Sequence, residues 1–155
     1  MRHWLFVLAL LSSPAFAQSG QLTLSPATVS VDNGKQSTEI LLTYRAGANA
    51  TDMESEISLN LDRHGWAEVQ VVPSPTPDYI NFCGVMAGKV RAFVASRTLG
   101  SLPAGVDIPL CRLRVRTHAH TSRGFSWMSV VTAYEVWHGQ IDYPVASNNV
   151  LVYVP

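Results

Sequence analysis

The stretch DMESEISLNLD, Asp52 to Asp62, alternates in side-chain character at every residue. One set of side chains is apolar or small: Met53, Ser55, Ile57, Leu59 and Leu61. The other set is polar: Glu54, Glu56, Ser58, Asn60 and Asp62. A period of two sustained over ten residues predicts a β-strand with one buried and one solvated face.

A second stretch, CRLRVRTH, shows the same alternation from Cys111 to His118. We expect one set to face inward: Cys111, Leu113, Val115 and Thr117. The other set then faces outward: Arg112, Arg114, Arg116 and His118. Turn-forming residues, including Asp32-Asn33-Gly34 and the proline-rich segment 73–78, separate similar short segments along the chain. The sequence therefore predicts an all-β protein, an antiparallel β-sandwich of about nine strands with jelly-roll or immunoglobulin-like topology.

The composition fits one domain without a strong charge. The chain has 155 residues, with 11 lysines and arginines balanced by 11 aspartates and glutamates. This length suits a single packed domain. A nucleic-acid-binding domain would carry a basic surplus, so the charge balance argues against that class of partner.

The first residues, MRHWLFVLALLSSPAFAQSG, have the pattern of a secretory signal peptide. Arg2 precedes an apolar run from Trp4 to Leu11, and Ala15-Phe16-Ala17 forms a cleavage site of the A-x-A type. The run is too short to span a bilayer, which takes roughly 20 apolar residues. We therefore expect residues 1–17 to be removed, leaving a single exported domain, 18–155, that is secreted or periplasmic.

Two cysteines, Cys83 and Cys111, are present. In an oxidising compartment, two cysteines of one exported domain are expected to form a disulfide. A catalytic cysteine is the alternative, although neither residue lies in a recognisable nucleophile motif.

Three stretches together resemble the cohesin domain and the related β-sandwiches of carbohydrate-binding modules: LTLSPATVSVDNGKQSTEILLTYRAGANATDMESEISLNLD, INFCGVMAGKVRAFVAS and LPAGVDIPLCRLRVRTH. The resemblance implies a nine-stranded jelly-roll sandwich. It also implies binding through one sheet face, because cohesins bind a dockerin module and the related modules bind polysaccharide. In that topology, the strand containing Arg114 would lie beside the strand containing Glu54 and Glu56.

A partner-binding face is the first functional hypothesis. On the topology that the resemblance implies, three arginines and two glutamates would share this face: Arg112, Arg114, Arg116, Glu54 and Glu56. The same charges could instead form only cross-strand ion pairs, or the arginines could bind a polyanion.

Carbohydrate binding is the alternative function. Trp66 shares the alternating pattern of Glu68 and Gln70, which predicts an exposed ring beside polar groups on one face. Trp127 and Tyr134 lie in a more apolar stretch, and we expect them in the core.

Metal binding and hydrolysis are weaker hypotheses. His118 and His120 would lie on one side of a strand, but a third ligand would have to come from elsewhere. Paired carboxylates for glycoside hydrolysis could be drawn from four residues: Glu54, Glu56, Glu68 and Glu135. The sequence therefore favours an exported non-catalytic domain without a cofactor, which binds a protein or cell-surface partner through one sheet face.

Overall fold

The computed structural model describes residues 20–48, 50–98, 100–137 and 140–155, without the side chains of 140–142. The predicted signal peptide, 1–17, lies outside the described residues. Within the described residues, no helix has the length and apolar character needed to cross a membrane.

Twelve β-strands form in the described part of the chain. Their bounds are β1 (Gln21–Ser25), β2 (Thr28–Ser30), β3 (Ile40–Arg45), β4 (Asp52–Ser58), β5 (His64–Val71), β6 (Tyr79–Met86), β7 (Lys89–Ser96), β8 (Asp107–Thr117), β9 (Gly124–Trp137), β10 (Gln140–Pro144), β11 (Ala146–Ser147) and β12 (Val150–Val154). The predicted all-β class is confirmed.

The strands form two sheets. The five-stranded sheet has the order β11-β1-β3-β8-β5. The seven-stranded sheet has the order β2-β12-β9-β4-β7-β6, with β10 paired to β9. Neighbours are antiparallel except in two pairs, β1 with β11 and β2 with β12, which are parallel.

The opening segment contributes to both sheets, which is one reason why the strands outnumber the expected nine. β1 joins the five-stranded sheet and β2 joins the seven-stranded sheet, with Pro26 between them. Proline has no N–H to donate to a ladder and is not accommodated inside a central strand. The chain therefore leaves one sheet at Pro26 and enters the other at Thr28.

The core lies between the two sheets and is built from the alternating strands. Met53, Ser55 and Ile57 of β4 are fully buried, as the alternation predicts, but the strand ends at Ser58 and Leu61 is exposed, so the predicted inward position of Leu61 is wrong. In β8 the buried set also matches the prediction: Cys111, Leu113, Val115 and Thr117. Burying one leucine or isoleucine side chain stabilises a fold by about 1.5–3 kcal/mol.

The neighbours of β4 and β8 differ from the expectation. β8 pairs with β3 and β5, whereas β4 pairs with β7 and β9, so the two strands lie in different sheets. The predicted placement of Glu54 and Glu56 beside the arginines is therefore wrong. Both strands bury their apolar faces in the same core from opposite sides, so their polar faces point away from each other.

A disulfide joins the two sheets. Cys83 of β6 is bonded to Cys111 of β8, with their Cα atoms 5.9 Å apart. This separation lies in the usual range of about 4.4–6.8 Å for a disulfide. The predicted pairing is confirmed.

Candidate partner-binding faces

The outer face of the five-stranded sheet carries the predicted arginines. Arg112 lies 3.8 Å from a carboxylate oxygen of Glu39, and Arg114 lies 3.4 Å from Glu68. Arg45 makes a closer pair with Asp107 at 2.7 Å, and this hydrogen bond lowers the pKa of the Asp107 carboxyl. Ion pairs this exposed contribute little to stability. The arginines thus have acidic neighbours, but these are Glu39 and Glu68 instead of the residues expected.

The outer face of the seven-stranded sheet carries Glu54 and Glu56. Glu56 accepts hydrogen bonds from Lys89 at 3.0 Å and pairs with Arg91 at 2.7 Å. The hydrogen bond from Lys89, with support from Arg91, lowers the pKa of Glu56. The Tyr134 hydroxyl donates to Glu54. Both carboxylates therefore have hydrogen-bonding partners on the neighbouring strands.

Apolar side chains flank these carboxylates. Phe82 on β6 is 40% exposed and stacks on Phe93 of β7, with ring centroids 5.3 Å apart. The strand pairing places Phe82, Phe93, Glu54 and Tyr134 in one row across four strands. We call the outer face of β6, β7, β4 and the part of β9 that pairs with β4, residues 129–136, the ion-paired half.

The same sheet has an exposed aromatic region at its other side. Phe125 and Trp127 on β9 are 64% and 56% exposed, and Phe125 stacks on Tyr153 of β12 at 4.8 Å. Leu151 lies opposite Trp127 in the strand pairing. We call Phe125, Trp127, Leu151 and Tyr153 the aromatic corner.

The core assignment expected for Trp127 is therefore wrong. Ser126 and Met128 point into the core, and the strand alternation turns Trp127 to solvent between them.

Trp66 does not share a face with Glu68 and Gln70. A register shift between Trp66 and Glu68 places Trp66 opposite the buried Val115, while Glu68 lies opposite Arg114 on the outside. The indole is half-buried, packs against the core and donates to the Gly88 carbonyl at 2.9 Å. A bulge of this kind inserts one residue and turns the following side chains to the other face. The prediction that the Trp66 ring is exposed beside Glu68 and Gln70 is therefore wrong, and this arrangement does not support a sugar platform at Trp66.

The candidate metal ligands lie at the end of β8. The His118 ring donates to the Leu61 carbonyl at 3.0 Å, and both His118 and His120 are exposed. Across the described residues, no group of three His, Cys, Asp or Glu side chains is placed to hold a metal ion.

Of the four carboxylates that could form a hydrolytic pair, only Glu54 and Glu56 share a surface. Glu54 and Glu56 lie outside the seven-stranded sheet and Glu68 outside the five-stranded one. Glu135 is buried between the sheets, where it accepts hydrogen bonds from three groups: the Tyr44 hydroxyl at 2.5 Å, the Gly47 N–H at 2.8 Å and the Trp137 indole at 3.0 Å. Burial, with the bond to Glu135, raises the pKa of Tyr44. This contact links the two sheets and was not anticipated from the sequence.

The contributions of Lys89, Arg91 and Phe93 were also not anticipated, although a signal was present. In KVRAFVAS the residues Val90, Ala92 and Val94 are buried, so the intervening side chains face outward. The alternation identifies this outer face, but the proximity of Glu56 depends on strand pairing.

Solved structures of cohesin modules are similar to this chain over most of its length. The sixth cohesin of Acetivibrio cellulolyticus scaffoldin B, in complex with a Cel5 dockerin mutant, is 12% identical, with a TM-score of 0.63 over 89% of this chain and 100% of that one. A type I cohesin of Clostridium thermocellum in complex with a dockerin is 10% identical, with a TM-score of 0.64 over 89% and 100%. A non-cellulosomal cohesin of the archaeon Archaeoglobus fulgidus is 11% identical, with a TM-score of 0.61 over 89% and 92%.

No protein-family model matches this chain, and no curated protein matches it either. The similarity therefore concerns the arrangement of strands. With its two packed sheets and the matching coverage, the chain has the cohesin-like β-sandwich fold.

Proposed function

We propose that this protein is a non-catalytic binding module that docks a partner protein of the dockerin kind on the ion-paired half. The observation that carries the proposal is the exposed Phe82–Phe93 stack beside the Glu56–Lys89–Arg91 ion pairs. Support for the class of partner comes from structures of the same fold, two of which are complexes with dockerins.

The chemistry of the two sheet faces favours this face. Contiguous exposed apolar side chains on a soluble domain are typical of interaction sites, and aromatic and arginine residues dominate binding energy at interfaces. The ion-paired half offers both, since Ile80, Phe82 and Met86 are exposed beside Arg91. The opposite face presents Arg112 and Arg114 among Glu39 and Glu68, with no comparable aromatic stack among its described residues.

Calorimetric titration with purified dockerin modules tests this proposal. Phe82→Ala and Glu56→Lys should each weaken binding about ten-fold or more, because they remove an apolar anchor and an ion-paired carboxylate. Arg114→Glu reverses a charge on the opposite face and should leave the dissociation constant within about two-fold. If only Arg114→Glu lost binding, the interface would lie on the five-stranded sheet, and the proposed face would be wrong. If no dockerin bound, the proposed class of partner would be wrong.

We also propose that the protein is exported. The signal-peptide pattern of residues 1–17 and the Cys83–Cys111 disulfide support this location. Intact mass of the protein from its source cells should correspond to a chain that begins at Gln18. A mass that retains Met1 would contradict export through cleavage at Ala17.

A further inference from the structure

The free edge of β6 differs from the other sheet edges in the described part of the chain. β6 pairs with β7 over its whole length and with no described strand on its other side. Its sequence, YINFCGVM, contains no charged residue and no proline, and its pairing with β7 has no register shift. Natural sheets protect an edge of this length with charges, prolines, bulges or a covering segment, because an unpaired edge is a template for another chain.

The other described edges of the two sheets carry such protection. β5 contains the charged Glu68 and a register shift beside it. β11 has two residues and β2 has three, so both are short. β10 has a register shift and ends at Pro144. Among the described strands, β6 is therefore the edge that is most open to pairing.

The backbone of β6 offers hydrogen-bonding groups at alternate residues. In an antiparallel pair, residues that bond to the neighbouring strand alternate with residues whose N–H and C=O groups point away from it. The Arg97 N–H donates to the Asp78 carbonyl just before β6, so the even-numbered residues of β6 bond to β7. Asn81, Cys83 and Val85 therefore direct their backbone groups away from β7, and no described backbone group bonds to them.

We propose that two copies of this protein pair through their β6 edges as an antiparallel dimer. A two-fold axis at Cys83 makes the edge self-complementary, because Asn81 of each copy lies opposite Val85 of the other. Each outward N–H of this stretch then faces a carbonyl of the second copy. No like charges meet, since β6 carries none.

The side chains on the outer face of β6 also match in this register. Phe82 of each copy lies opposite Gly84 of the other, and Ile80 lies opposite Met86. Ile80, Phe82 and Met86 are all exposed in the single chain, so pairing covers apolar surface. Gly84 leaves room for a ring, and an aromatic side chain packed across a strand on a glycine covers its bare backbone. This match favours a second copy over an unrelated strand.

The dimer is compatible with the docking surface. Its two-fold axis lies perpendicular to the extended sheet, so both ion-paired halves face the same side. The pairing uses the edge of the sheet and not its face. It therefore does not depend on dockerin binding, which the calorimetric titration measures separately.

Sedimentation velocity from about 1 to 500 µM tests the dimer. We expect a reversible monomer–dimer equilibrium in the protein with its disulfide intact. Val85→Lys places a charge at the pairing edge and should raise the dissociation constant about ten-fold or more. Val106→Lys is the matched control, because Val106 precedes β8 and is 51% exposed, against 48% for Val85. It should leave the dissociation constant within about two-fold.

Amide hydrogen exchange of the unsubstituted protein identifies the paired residues. The N–H groups of Asn81, Cys83 and Val85 should exchange more slowly at high protein concentration than at low concentration, whereas those of Ile80 and Phe82 should be protected at both. Three results would overturn the proposal: a protein that stays monomeric, a dimer that persists in folded Val85→Lys, or a dimer that does not protect these three amides. If Val85→Lys does not fold, the exchange measurement decides.

Discussion

His64 is a fully buried histidine that joins the two sheets of the sandwich. Its Nε2 lies 2.5 Å from the Ser126 hydroxyl, whereas Nδ1 has no hydrogen-bond partner among the described residues. Burial lowers the pKa of His64, and the charges of Arg63 and His118 lower it further. The folded protein therefore holds this imidazole in its neutral form at a pH where an unfolded chain would protonate it.

Stability should depend on pH through this residue. Because the folded pKa of His64 is lowered, the unfolded state binds more protons once the pH falls below about 6.5, and the free energy of unfolding falls with it. Urea unfolding from about pH 8 to 5 should show this loss, and His64→Gln should reduce it. His120→Asn removes an exposed histidine at the same end of the sandwich; it is the control and should retain the loss. An unchanged slope in His64→Gln would refute the role of His64.

Single residues also show where sequence patterns stop being informative. The alternation of β5 predicted Trp66 beside Glu68, but the register shift between them depends on pairing with Val115 and Arg114. No pattern within β5 itself encodes that shift. The apolar stretch around Trp127 predicts burial, but the alternation with the buried Ser126 and Met128 places its side chain outside.

At the scale of an element, β8 offers a direct test of its two faces. Leu113 is fully buried, whereas the adjacent Arg114 side chain is 41% exposed. Leu113→Ala should lower the free energy of unfolding by about 2–5 kcal/mol, because it leaves a cavity in the core. Arg114→Ala should lower it by less than about 1 kcal/mol, since its ion pair with Glu68 is screened by solvent. Denaturant titration of both variants would contradict the assignment if the two losses were equal.

The disulfide between β6 and β8 allows a second test at this scale. Its cysteines are separated by 28 residues, and closing a loop of this size stabilises by roughly 3–4 kcal/mol in the chain-entropy model. Urea unfolding with and without reductant should differ by about that amount. A Cys83→Ala/Cys111→Ala variant serves as the control and should not respond to reductant. Equal stability of the oxidised and reduced wild-type protein would contradict a stabilising role.

The sequence thus predicted which side of each strand is buried, but it did not predict which strands lie next to each other in the sheets. The inward and outward residues of β4 and β8 follow from a period of two, because each strand buries one side. The assignment of these strands to different sheets does not follow, since both contribute the same kind of apolar face to one core. The acidic partners of the arginines, Glu39 and Glu68, depend on that assignment.

In the whole molecule, the sandwich separates three kinds of outer surface. The five-stranded sheet presents Arg112 and Arg114 with acidic neighbours, and the seven-stranded sheet presents the ion-paired half and the aromatic corner. The fold class was predictable from strand alternation and from the resemblance to cohesins. The division of the larger sheet was not, because it arises where β9 pairs with β12 along one part and with β4 along another.

Site-specific photocrosslinking tests the docking proposal most directly. A photoreactive amino acid would replace Phe82 on the ion-paired half or Arg114 on the opposite face, two side chains that are 40% and 41% exposed. In the cells that produce this protein, we expect a discrete protein adduct from position 82, lost when Glu56→Lys is added, and none from position 114. An adduct from position 114, with position 82 unmodified, would contradict the account.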